Sequence, residues 1–76
     1  MNIVEIKNYG KIKLKLNEFM DKRGITRNGL ATAVNVRFEV IDKWYRNDVE
    51  KLDLDVLARI CCVLECEVED LLIYNK

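Results

Sequence analysis

Two short apolar stripes of identical spacing, on either side of one asparagine, constrain this chain more than anything else in its sequence. Leu30, Ala31 and Val34 stand at i, i+1 and i+4, and Val40, Ile41 and Trp44 repeat the pattern. Each stripe gives a helix one buried face. Between them lies only Val34-Asn35-Val36, a tight turn. Asn is the best non-glycine residue for a left-handed backbone, so Asn35 can bend the chain there. Thr26 precedes the first stripe and can accept a hydrogen bond from an orphan N–H of the first helical turn. The second helix should run from about Arg37 to Arg46. Its inner face takes Val40, Ile41 and Trp44, which leaves Arg37, Phe38, Glu39, Asp42, Lys43 and Arg46 on or near the outer face. Gly29 is unusual inside a helix and costs about 1 kcal/mol relative to Ala.

The stretch from Ile25 to Asn47 resembles the helix-turn-helix of Cro/C1-repressor-type DNA-binding domains. That pattern has Gln, then Ala four residues on, Gly eight on, Ile or Val fourteen on and often Trp seventeen on, and here those places hold Arg27, Ala31, Asn35, Ile41 and Trp44. Arg27 departs from the usual Gln: it can still hold a phosphate, but the amide contacts are lost. Asn35 departs from Gly, which the backbone tolerates. Small Ala31 sits where two helices must approach closely. The segment Leu54–Leu72 also resembles the last two helices of small Cro/C1-type regulators. The likeness therefore covers roughly Leu16 to Tyr74. It implies an all-α fold, a compact five-helix Cro/C1-repressor-like bundle with the helix-turn-helix at helices 2 and 3; the N-terminal segment lies outside the likeness, apart from strand-like N-termini seen in some small members. Position by position, an ordinary helical hairpin with a buried stripe is the alternative.

One domain is expected over residues 1–76, with 1–15 strand-like and 16–76 helical. The first sixteen residues read as a strand or hairpin: Ile3-Val4-Glu5-Ile6 is a short apolar run, and Asn8-Tyr9-Gly10 has the turn chemistry to fold it back on Lys11–Leu16. Lys11 to Leu16 alternates strictly between lysine and an aliphatic residue, the strand period. A helix would put Leu14 opposite Leu16; the alternative is a first helix starting near Lys11 with a solvated lysine face. Leu16, Phe19 and Met20 then follow helical spacing. That helix should end at Gly24, with Lys22 and Arg23 where the dipole favours cations. Asn47 to Lys51 is a polar loop. Asp53 can cap a fourth helix with the stripe Val56, Leu57, Ile60, Cys61 and Leu64. A short fifth helix is expected near Val68–Ile73, with Leu71 and Leu72 turned inward and Glu67, Glu69 and Asp70 at its positive end.

The formal net charge is zero, but its distribution is uneven. Residues 1–46 carry ten Lys/Arg against five Asp/Glu, a net of +5, and residues 47–76 carry three against eight, a net of −5. A polyanion would meet the first half and be repelled by the second. The basic excess is too small to drive tight non-specific DNA binding. No apolar run approaches a membrane span, and no basic-then-apolar leader opens the chain, so a cytoplasmic location is expected.

Catalytic chemistry is not indicated. There is no His, no Gly-rich phosphate loop and no nucleophile elbow. Glu67, Glu69 and Asp70 read as a solvated helix start. The cysteines are Cys61, Cys62 and Cys66, without the paired Cys-x-x-Cys knuckles of a zinc site. Cys61 shares the stripe of Leu57, Ile60 and Leu64, while Cys62 points elsewhere and is the thiol best placed to react. No cofactor, metal or small-molecule ligand is expected. Tyr9, Tyr45 and Tyr74 are too scattered to form a stacking platform for single strands.

The resemblance implies a small sequence-specific regulator of double-stranded DNA. Helix 3 would enter the major groove and helix 2 would cross the backbone above it. Arg27 would hold a phosphate. Arg37, Phe38, Glu39, Asp42 and Lys43 occupy the places that face base edges or nearby phosphates, and Arg46 would reach the backbone. A homodimer burying one or both termini is expected, since Lys11–Leu16 has strand character and an apolar edge and Leu72-Ile73-Tyr74 can also extend. The rival is a protein-interaction module that uses the same fold without DNA. Glu39, Asp42 and the neutral total charge support it, because acids near phosphates are repelled unless they accept from a cytosine amino group.

Overall fold

A computed structural model describes residues 8–76. The element order is β1 (Lys11–Leu14), α1 (Leu16–Arg23), α2 (Arg27–Val34), α3 (Phe38–Tyr45), α4 (Leu54–Leu64), α5 (Val68–Leu71) and β2 (Leu72–Asn75). Five helices pack around one core, and a two-stranded ribbon joins the two ends of the described chain.

Local chemistry sets most helix ends. Gly24 closes α1 in the left-handed region at φ 67°, behind Lys22 and Arg23. The Thr26 hydroxyl accepts from the Gly29 N–H at 3.0 Å and starts α2. Gly29 thus lies in the first turn, beside its cap. Asn35 takes φ 59° and ends α2, and its N–H and that of Val36 return to carbonyls of the last turn. Asp53 caps α4 by accepting from the N–H groups of Asp55 and Val56. At α5 the Asp70 carboxylate accepts from the Glu67 N–H at 2.9 Å.

Leu16, Met20, Leu30, Ile41, Ile60 and Leu71 are fully buried, one or more from each helix. Trp44 is 3% exposed and lies in the same cluster as Ala31, Val34, Val56, Leu57 and Leu64. Both stripes of the helix-turn-helix therefore face the core, and Val40 is half-buried at its margin. Cys61 is half-buried against the core and Cys62 is exposed.

The ribbon departs from the sequence reading in its partner. Lys11–Leu14 is a strand, but it pairs antiparallel with Leu72–Asn75, from Lys11 opposite Asn75 to Leu14 opposite Leu72. The fifth helix accordingly stops at Leu71, and Leu72 and Ile73 are extended. Pairing with β1 captures these residues, which an isolated reading of the local pattern assigns to a helix. The run Ile3–Ile6 lies outside the described residues. Gly10 is buried against this ribbon: its N–H donates to the Tyr74 hydroxyl at 2.9 Å, and a Cβ there would fall 2.0 Å from the Asn75 carbonyl oxygen. No helix among the described residues is long and apolar enough to cross a membrane.

Candidate nucleic-acid interface

The Asn35 turn sets α3 across α2. Arg37 is the residue before the first turn of α3, extended at φ −68° and ψ 150°, and its side chain makes no cap. Arg37, Phe38, Glu39 and Lys43 are exposed, and Phe38 keeps 38% of its surface in water. Among the described residues, Arg37, Glu39 and Lys43 form no side-chain hydrogen bond or ion pair. The leading turn of α3 thus offers a guanidinium, a ring and a carboxylate side by side. Orphan N–H groups at a helix start favour anions, and a protruding first turn suits insertion into a groove.

Arg27 and Arg46 flank that turn and are tied together. Arg27 Nη1 donates to Asp42 Oδ1 at 2.7 Å, and Arg46 Nε donates to Asp42 Oδ2 at 3.1 Å. The Asp42 side chain is 21% exposed, against 43% for Arg27 and 55% for Arg46. The Arg27 guanidinium also lies 5.0 Å from the Tyr45 ring centre and 5.8 Å from that of Phe38. Tyr45 in turn donates its hydroxyl to Asp21 Oδ1 on α1 at 2.8 Å. That hydrogen bond, with smaller contributions from desolvation and the Asp21 charge, raises the phenol above its ordinary value.

Of the seven residues picked from sequence, Arg27, Asp42 and Arg46 form one network, and Arg37, Phe38, Glu39 and Lys43 lie beside it on the exposed face of α3. Sequence reasoning missed Asp21 and Tyr45 as supports. Asp42 and Arg46 at i, i+4 are a legible helical pair; the reach from Asp42 back to Arg27 on another helix is not. It also missed Arg59, which forms an ion pair with Asp55 at 2.8 Å and donates to the carbonyls of Val34 and Asn35 at 3.3 and 3.4 Å. Arg59 thereby fixes the turn that aims α3. The sequence around Asn47 reads only as loop, but its amide binds both backbone groups of Leu14, each at 2.7 Å. No cluster of three or more His, Cys, Asp or Glu able to hold a metal occurs among the described residues.

A family model of the Cro/C1-type HTH DNA-binding domain matches residues 15–76. The chain belongs to this family. In a Cro/C1-type domain α2 and α3 are the helix-turn-helix, so the network just described lies on the motif itself. The fold is also that of a solved protein, the crystal structure of transcriptional regulator VanUg, form II. The TM-score is 0.72 at 24% identity, over 97% of each chain. That likeness takes in more of the chain than the family model does. No curated protein matches the sequence.

Proposed function

We propose that this Cro/C1-type domain is a small transcriptional regulator that binds double-stranded DNA sequence-specifically, with α3 in the major groove and α2 across the backbone. The observation that carries this reading is the exposed leading turn of α3, which combines Arg37, Phe38 and Glu39 with no described partner for either charge. Arg37 has a planar fork matched to guanine O6 and N7. Phe38 suits a thymine methyl, and Glu39, an acceptor only, suits cytosine N4. Lys43 lies one turn on and serves a base or a phosphate; Asp42 stands beside it. Arg27 and Arg46 serve phosphates, which position the protein without reading sequence. The VanUg likeness in fold, and that protein's designation as a transcriptional regulator, agree with this role.

The regulator acts as a homodimer, because a single such domain spans few base pairs and two copies double the site. Ile12 and Tyr74 face each other across the ribbon and remain 64% and 56% exposed, which supports the termini as the contact. Sedimentation at about 50 µM, well above nanomolar-to-micromolar dissociation constants, is expected to exceed the 8.9 kDa of one chain. A single 8.9 kDa species would refute dimerisation.

A protein-interaction role is the second reading, favoured by the exposed Glu39 at the groove-facing end of α3 and by the zero net charge. A fluorescence-anisotropy titration against random duplex at about 50 mM salt, where phosphate contacts are strong, separates the two. Binding that weakens steeply with added salt is expected for the regulator. No binding at tens of micromolar protein would favour the interaction module.

A further inference from the structure

We infer that Asp42 is a positioning residue, resting on the DNA-binding reading above: it joins Arg27 and Arg46 into one two-pronged phosphate clamp and does not read bases. A base reader needs acceptor oxygens open to the groove. Both Asp42 oxygens are taken, one by Arg27 at 2.7 Å and the other by Arg46 at 3.1 Å. A cytosine amino group is a weaker donor than either guanidinium, since charge-assisted hydrogen bonds are the stronger kind.

The two arginines come from different elements. Arg27 is the first residue of α2, and Arg46 immediately follows α3. One carboxylate therefore fixes the relative placement of cations on the two halves of the motif. Asp42 uses only one nitrogen of each guanidinium, and an arginine carries five N–H donors. The remaining donors belong to side chains that are about half exposed, while the carboxylate between them is less exposed than either.

Arg27 is held from the side as well. It rests near the Tyr45 and Phe38 rings, and Tyr45 is anchored to Asp21 on α1. Side chains of α3, and of α1 through Tyr45, thus restrain one exposed arginine of α2. An exposed ion pair contributes little to fold stability, so stability does not account for so many restraints. Restraint of this kind lowers the ordering needed when a phosphate arrives, because free arginine side chains lose much rotamer freedom on binding. The cluster of two guanidiniums and one carboxylate keeps a net positive charge, so it still attracts the backbone.

Asp42→Asn tests this through the sign of its effect. The substitution removes a negative charge close to phosphates, so electrostatics alone makes DNA binding tighter. Loss of the clamp makes it weaker, by about three- to tenfold, the range expected when one or two long side chains must be ordered on binding. The weakening should apply to all duplexes alike, leaving base preference intact. It should also depend on the two arginines: in an Arg27→Ala, Arg46→Ala background, Asp42→Asn should cause no further weakening. Tyr45→Phe keeps the ring but breaks the link to Asp21, and should weaken binding in the same uniform way, which keeps the test decisive if Asp42→Asn does not fold. Tighter binding by Asp42→Asn, or a change in the preferred base at one position, overturns the inference while DNA binding stands. Failure of the wild-type protein to bind any duplex overturns the DNA-binding reading and this inference together.

Discussion

Asn47 is the strongest single test of how the ribbon is attached to the helices. Lys15 donates its N–H to Leu71 at 2.7 Å, and Leu14 lies opposite Leu72. In an antiparallel pair the hydrogen-bonding groups alternate sides, so the N–H and C=O of Leu14 point away from β2. The Asn47 amide meets them there: the Leu14 N–H donates to Oδ1 and Nδ2 donates to the Leu14 carbonyl, each at 2.7 Å. One side chain substitutes for a strand partner. Two such bonds contribute about 2 kcal/mol together at roughly 1 kcal/mol each. Asn47 also holds a left-handed backbone at φ 60°, which Ala adopts at a cost of about 1–2 kcal/mol. Asn47→Gly keeps the backbone and removes only the amide, so it should lose about 2 kcal/mol; Asn47→Ala should lose about 1 kcal/mol more. At about 4–8 °C per kcal/mol for a small domain, Asn47→Gly should melt roughly 8–16 °C lower. Hydrogen exchange at the Leu14 amide should accelerate in both variants. A glycine variant with unchanged melting temperature and an equally protected Leu14 amide would refute this reasoning.

Trp44→Ala should cost about 3–5 kcal/mol, as large aromatic deletions from cores do, because Trp44 is buried in the single core cluster. For a chain of this length that approaches the whole stability of about 4–11 kcal/mol, and a cooperative melt at the wild-type temperature would contradict the register of α3. Thiol labelling near neutral pH should modify exposed Cys62 well before Cys66, whose thiol burial and the neighbouring Cys61 push up to about 11; equal rates in the folded protein would contradict the packing. Unfolding returns the Cys66 thiol to its ordinary value of 9.0, so the folded protein keeps the proton longer. Its contribution is intact below pH 9 and is lost as pH rises towards 11, so wild-type stability should fall more over that window than that of Cys66→Ala, as denaturant titrations at each pH would read.

What was legible in the sequence is what local chemistry dictates. Thr26, Gly24, Asn35 and Asp53 end or start helices through their own backbone preferences and side-chain oxygens, with no distant partner required. The stripes Leu30/Ala31/Val34 and Val40/Ile41/Trp44 fixed which face of α3 turns outward, and with it the exposure of Arg37, Phe38, Glu39 and Lys43. Apart from the end of α4, the features that were not legible depend on residues far apart in the chain. Leu72 and Ile73 look helical until β1 pairs with them. Glu65 ends α4 at φ 51° without the Gly or Asn that advertises such a turn. Arg27 finds Asp42, and Asn47 finds Leu14, only after the helices have packed.

The central claim is that α3 reads DNA sequence while Arg27 supplies phosphate affinity. Selection of bound duplexes from a random pool, run in parallel on wild type, Arg37→Ala and Arg27→Ala, tests it most directly. The wild type should enrich a defined motif. Arg37→Ala should relax one position of it and lose about 1–3 kcal/mol on the best site, as for a bidentate base contact. Arg27→Ala should return the same motif with uniformly weaker binding and a salt slope smaller by about one. A folded wild-type protein that leaves the pool unenriched would contradict the claim, as would Arg37→Ala and Arg27→Ala variants indistinguishable in both motif and salt slope.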